Sequence, residues 1–85
     1  MDGKEYRAIV QKVLDSGRHG PYAVARSKQL GSVTFSLASD VWAEKRWPEP
    51  GTEVILSEVI KKRAGWRAQH GRFANPSDEA RSSEQ

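Results

Sequence analysis

The stretch SVTFSL, residues 32–37, shows the strictest alternation of apolar and polar side chains in this 85-residue chain. A period of two is what a β-strand with one buried face requires, because successive side chains of a strand point to opposite sides of the sheet. We therefore predict a strand here, with Val33 and Phe35 in the core. Thr34 and Ser36 then face outward.

Four more segments have the composition of strands, and turn residues separate them. Asp15-Ser16-Gly17 and Gly20-Pro21 end the first segment, and a basic turn over residues 61–65 separates the last two. The fifth segment also contains Gly71, a candidate β-bulge. The predicted strands are residues 6–14, 22–28, 53–60 and 66–73.

Residues 38–47 lose the alternation and contain the Ala, Glu, Lys and Arg that favour helices. Ser39 or Asp40 could cap the N-terminus of a helix, and Pro48-Glu49-Pro50-Gly51 would stop it. We therefore predict a short helical segment between the third and fourth strands.

The order of these elements predicts an all-β fold, a five-stranded Greek-key OB-fold barrel with a short helical segment between strands three and four. Closure of a barrel also removes the unpaired strand edges that promote aggregation. An SH3-like barrel is the main alternative, although it rarely places a helical segment at this point. We predict a flexible N-terminus over residues 1–5, the barrel over 6–75 and a disordered tail over 76–85.

The charge of the chain is basic and unevenly distributed. The net charge is +3 overall, but residues 6–75 hold twelve Lys and Arg against six Asp and Glu, a net charge of +6. This balance favours an acidic partner, either nucleic acid or an anionic surface.

Several classes of site find no support in the sequence. The chain has no cysteine, and His19 and His70 lack companions at ligand spacing, so we expect no disulfide and no metal site. No run approaches the roughly 18 apolar residues that a membrane span needs, so we expect no membrane partner and a cytoplasmic location. No catalytic triad, phosphate-binding glycine loop or apolar carboxylate pair is present. We expect no enzymatic activity and no cofactor.

Three short motifs resemble the cold-shock domain and the RNA-binding repeat of ribosomal proteins, over about residues 6–74. They are Gly20-Pro21-Tyr22-Ala23-Val24, Gly31-Ser32-Val33-Thr34-Phe35-Ser36-Leu37 and Pro50-Gly51-Thr52-Glu53-Val54. The resemblance implies a small RNA-binding barrel in which strands two and three carry outward aromatic residues that stack on bases. Here Thr34 and Ser36 take outward positions, which leaves Tyr22 as the remaining candidate from that aromatic set.

The candidate site centres on Lys61-Lys62-Arg63, which precedes Trp66-Arg67. Mobile cations suit phosphates, and an indole or guanidinium plane suits an unpaired base. Trp66 has two open alternatives, an exposed stacking role or core packing. The predicted nucleic-acid-binding residues are Arg18, Tyr22, Arg26, Lys28, Lys61, Lys62, Arg63, Trp66 and Arg67.

Two functions from different classes follow from these patterns. The first is a module that binds single-stranded RNA, or alternatively single-stranded DNA, and is a monomer by default. The second is a protein-interaction module that uses the barrel as a scaffold and docks a partner on the segment from Trp42 to Trp47. In either case we expect Trp42 itself to lie in the core, whereas Trp47 could be a contact residue or a lid over the barrel end.

Overall fold

The computed structural model describes residues 4–15 and 20–75, and its strands form a small closed barrel. The strands are β1 (Glu5–Leu14), β2 (Tyr22–Ser27), β3 (Gly31–Ser36), β4 (Glu53–Lys62) and β5 (Gly65–Phe73). Their spatial order is β1-β2-β3-β5-β4, and pairing of β1 with β4 closes the sheet. The five predicted strands are present, with no end displaced by more than two residues. The predicted tail over 76–85 lies outside the described residues.

Large side chains of β3 meet small ones of β2 in the core. Phe35 lies opposite Ala23, and Val33 lies opposite Ala25, all four being fully buried. This match lets the two side-chain layers fill the core without overpacking. The predicted inward faces of Val33 and Phe35 are confirmed, and each fully buried side chain of this size contributes roughly 1.5–3 kcal/mol.

The predicted helix between β3 and β4 is wrong, because the described part of this connection contains turns and no helix. A single turn forms where the Trp42 N–H donates to the carbonyl of Ala38 at 2.8 Å. The next backbone groups then pair with β5, since the Ala43 N–H donates to the Gly71 carbonyl and the Gly71 N–H donates to the Val41 carbonyl. Pairing with β5 thus replaces the hydrogen bonds that would have continued a helix.

Trp42 explains why the connection leaves the helical path. Its indole is 2% exposed and packs on Phe35 and Phe73, with ring centroids 5.7 and 5.1 Å away. The Trp42 Nε1–H donates to the carbonyl of Arg46 at 2.8 Å, so the buried polar atom is satisfied. The expectation that Trp42 belongs to the core is confirmed, since the buried indole contacts both Phe35 and Phe73.

Gly71 lies under this indole and is not a bulge. Pairing between β4 and β5 keeps one register throughout, including the pair Leu56 and Gly71, so the bulge predicted at Gly71 is wrong. A Cβ at Gly71 would come within 3.1 Å of both Leu56 and Trp42. The glycine therefore permits close approach of the indole, while the register shift of the barrel lies in β1, between Val10 and Lys12.

The β4–β5 hairpin changes its inward face part-way along. Its core positions on β4 are Leu56 and then Val59, three residues apart, and those opposite on β5 are Gly71 and Ala68, also three apart. Glu58 lies at this change and has a positive φ of 52°. One extra residue on each strand preserves the register while reversing which side chains face the core.

Candidate functional site

The outer face of β3 carries three hydroxyl side chains in a row. Ser32, Thr34 and Ser36 alternate with the buried residues of the strand. Their partners on β2 are longer, and the outward pairs are Ser32 with Arg26, Thr34 with Val24, and Ser36 with Tyr22. The result is a shallow hydroxyl strip along β3, bounded on one side by an arginine, a valine and a tyrosine.

The other side of the strip is bounded by β5. This strand runs parallel to β3 and places Arg67 beside Thr34. Because the two flanking strands lie about 5 Å to either side of β3, the guanidinium groups of Arg26 and Arg67 can both reach the strip. The structure thus brings together two predicted site residues that are 41 positions apart in the sequence.

The β4–β5 hairpin carries the basic triplet to the same end of the barrel. Lys62 pairs with Gly65, so Arg63 and Ala64 form the tip, and Gly65 has a φ of 131° that favours glycine. Since β3 and β5 are parallel, the start of β5 lies next to the start of β3. Lys28, in the turn between β2 and β3, is exposed at this end as well.

The Trp66 side chain packs against the core more than it extends into solvent. It pairs with the buried Val33, is half-buried and lies against the core cluster. The Nζ of Lys61 lies 5.0 Å from the centroid of its ring, a cation–π distance. Of the two alternatives left open by the sequence, this geometry favours core packing, because a stacking base would have to displace the Lys61 ammonium.

Ion pairs neutralise some cations of the barrel, and several of the cations without such a partner in the described part of the chain lie together. Among the described residues, ion pairs join Arg7 with Glu53, Arg46 with Glu49 and Arg72 with Glu5, and the His70 ring lies 3.7 Å from the Glu58 carboxylate. None involves the cations around the hydroxyl strip. We call these five cations, with the hydroxyl strip, the basic face: Arg26, Lys28, Lys62, Arg63 and Arg67.

Arg18 was also predicted to bind nucleic acid, but it lies outside the described residues. Tyr22 is half-buried at the far end of the strip from Arg26, on the same outer face. Sequence reasoning did not assign a role to the hydroxyls of β3, although the alternation of residues 32–37 already placed Thr34 and Ser36 outward.

Over residues 4–15 and 20–75, the structure contains no group of three or more side chains that could hold a metal ion. In the same part of the chain, no helix has the length and apolar character to cross a membrane. Comparisons with protein-family models, with curated proteins and with solved structures each found no match to this chain.

Proposed function

We propose that this protein binds single-stranded nucleic acid, RNA in the first place and single-stranded DNA as the alternative, across the basic face. The observation that carries the proposal is a cluster of unpaired cations, because none of the five cations of the basic face has a carboxylate partner among the described residues, whereas Arg7, Arg46 and Arg72 each have one. Cations left without partners on one face create a local positive potential that attracts a polyanion.

The strand order supports assignment to the OB type of barrel, in a form without the helical segment. In that architecture the binding surface lies across strands two and three and is flanked by the loops after strands one and four. The basic face occupies this position, since it covers β2, β3 and the β4–β5 hairpin. Similarity to cold-shock domains and to the RNA-binding repeat of ribosomal proteins is part of the same proposal, and it rests on the three motifs that begin at Gly20, Gly31 and Pro50.

The chemistry of the face suits backbone contacts more than base stacking. Lysines and arginines hold phosphates, and the hydroxyls of Ser32 and Ser36 can donate to phosphate oxygens or exchange hydrogen bonds with ribose 2′-hydroxyls. The Thr34 hydroxyl donates to the Trp66 carbonyl at 3.5 Å, so it can act toward a ligand as an acceptor. Tyr22 offers a ring at one end of the strip. We therefore propose sequence-tolerant binding that depends on charge, with a preference for RNA arising from the hydroxyls of β3.

The test uses two variants that remove the same charge from different places. Lys62→Ala with Arg63→Ala removes two cations of the basic face and leaves Lys61 over the Trp66 ring, so this contact with the core is retained. Lys45→Ala with Arg72→Ala removes two exposed cations elsewhere. Binding of dye-labelled single-stranded RNA is measured by anisotropy at about 0.1 M salt, where the Debye length is about 10 Å.

We expect the hairpin variant to bind roughly tenfold more weakly than the wild type, because two phosphate contacts are lost. The control variant should bind within a factor of two or so, since long-range charge effects are screened over about 10 Å. Equal weakening in both variants would show that overall charge, not this face, attracts RNA.

Trp47 supports the protein-interaction alternative. Its side chain is 41% exposed, and it borders a surface pocket of about 340 Å³ that Leu37 and Trp42 also line. With Trp42 itself buried, a partner would have to bind through Trp47. Loss of a protein partner on Trp47→Ala, with RNA binding unchanged, would favour this function over the first.

A further inference from the structure

A groove of about 410 Å³ crosses the outer face of β1 next to the β2–β3 turn. It lies outside the hydroxyl strip, on the other side of β2. The charged and exposed apolar residues that line it are Glu5, Arg7, Ile9, Arg26, Lys28 and Glu53. Its volume falls within the range of about 300–1,000 Å³ that is usual for small-molecule sites.

Both acids of the groove already have arginine partners. Glu53 contacts Arg7 at 3.0 Å, and Glu5 contacts Arg72 at 3.3 Å. No ion pair in the described part of the chain involves Arg26 or Lys28. The groove therefore presents two uncompensated cations, and an anionic group can enter it without meeting a free carboxylate.

An exposed apolar side chain, that of Ile9, lies beside these cations. Ile9 is 41% exposed and sits in a row across the sheet, with Arg26 on β2 at one side and Glu53 on β4 at the other. A ligand that joins a phosphate to a flat ring, whose faces can pack on an apolar side chain, matches this pairing of cations with an exposed aliphatic residue. A nucleotide has both parts.

Arg26 joins the groove to the basic face. On β2 it lies between Ser32, the first hydroxyl of the strip, and Ile9 of the groove. We propose that the groove continues the path of a bound single strand and takes one further nucleotide, with the phosphate at Arg26 and Lys28 and the base or sugar on Ile9. This proposal rests on the proposed function, since it extends the same binding surface.

The test separates the groove from the rest of the surface by the length of the strand. Dye-labelled single-stranded RNAs from about 4 to 12 nucleotides cover the site sizes of such barrels. Ile9→Ser and, separately, Ile9→Ala remove the exposed apolar side chain of the groove and leave every cation of the basic face in place. Ile60→Ser is the matched control, because Ile60 is 42% exposed on β4, on the opposite flank of the basic face.

For the wild type, we expect affinity to rise with length and then level off. Each groove variant should lose that rise, binding the longest strands roughly tenfold more weakly, since the base or sugar loses its apolar contact with Ile9. The shortest strands should bind the groove variants as they bind the wild type. Ile60→Ser should follow the wild type at every length.

Groove variants that follow the wild type at every length would overturn the inference while leaving the proposed function in place. So would variants that weaken every length equally, because the groove would then belong to the primary surface. A wild type that binds no strand of any length at low salt would instead contradict the proposed function itself.

Discussion

Glu58 holds a left-handed backbone conformation in the middle of β4, with a φ of 52°. For a residue with a Cβ this costs roughly 1–2 kcal/mol, because Cβ approaches the following carbonyl oxygen. Its carboxylate lies 3.7 Å from the His70 ring, but both side chains are more than half exposed, so the contact contributes little. The conformation is therefore imposed by pairing of β4 with β5 on either side of the change in inward face.

Two substitutions at this position separate backbone strain from the side-chain contact. Glu58→Gly and Glu58→Ala both remove the carboxylate, but glycine alone relieves the steric cost of the positive φ. We expect the glycine variant to be about 1 kcal/mol more stable than the alanine variant, measured by urea unfolding. In an ordinary strand the order reverses, so an alanine variant at least as stable as the glycine variant would show that Glu58 is not held in this conformation.

The core residues of β3 were predictable and Glu58 was not, for a physical reason. An alternation such as that of Val33 and Phe35 needs only the local period of two, which is written in the sequence. The change of inward face at Glu58 depends on a matching extra residue opposite it on β5. Nothing in residues 53–60 alone indicates that such a residue is present. Trp66 illustrates the same limit, because its burial depends on the distant Val33 and on the position of Lys61.

At the level of elements, the connection between β3 and β4 shows tertiary contacts overriding helix propensity. Its composition favours a helix, but a short helix is marginal alone because its first turn is costly to form. Burial of Trp42 and pairing with Gly71 compete for the same backbone. Glu44 adds to this outcome, since its carboxylate accepts the N–H of Phe73 at 3.1 Å, a contact between residues 29 positions apart.

This packing predicts very different effects for two neighbouring tryptophans. Trp42→Leu should destabilise the fold by about 2–4 kcal/mol, because it leaves a cavity between Phe35 and Phe73. Trp47→Leu should change the unfolding free energy by no more than about 0.5 kcal/mol, since Trp47 lies at the surface. Thermal unfolding followed by circular dichroism compares the two, and similar losses of stability in both variants would contradict the assigned packing.

At the level of the whole molecule, the number of charged residues can be read from the sequence, but their positions on the surface cannot. The basic triplet and Arg26 were identified as candidates, and their convergence at one end of the barrel follows from the parallel pairing of β3 with β5. The pairing of Glu5 with Arg72 joins residues 67 positions apart and could not be inferred from local patterns. Such contacts decide which cations are neutralised, and hence which face is basic.

The proposed face makes a quantitative prediction for salt dependence. If Arg26, Lys28, Lys62, Arg63 and Arg67 each contact one phosphate, the logarithm of affinity for single strands should fall with the logarithm of salt concentration with a slope of about −3.5, at roughly 0.7 for each contact. The variant Lys62→Ala with Arg63→Ala should reduce the magnitude of this slope to about 2, while Lys45→Ala with Arg72→Ala leaves it unchanged.

Slopes are more informative than affinities here, because a loss of folding lowers affinity at every salt concentration without changing the number of ions released. Anisotropy titrations of labelled RNA at about 50 to 200 mM salt cover the range in which phosphate contacts dominate. A wild-type slope near zero would mean that phosphates are not held by these cations. If the magnitude of the slope fell equally in both double variants, the phosphate contacts could not be assigned to the β4–β5 hairpin, because only the net charge of the protein would then matter.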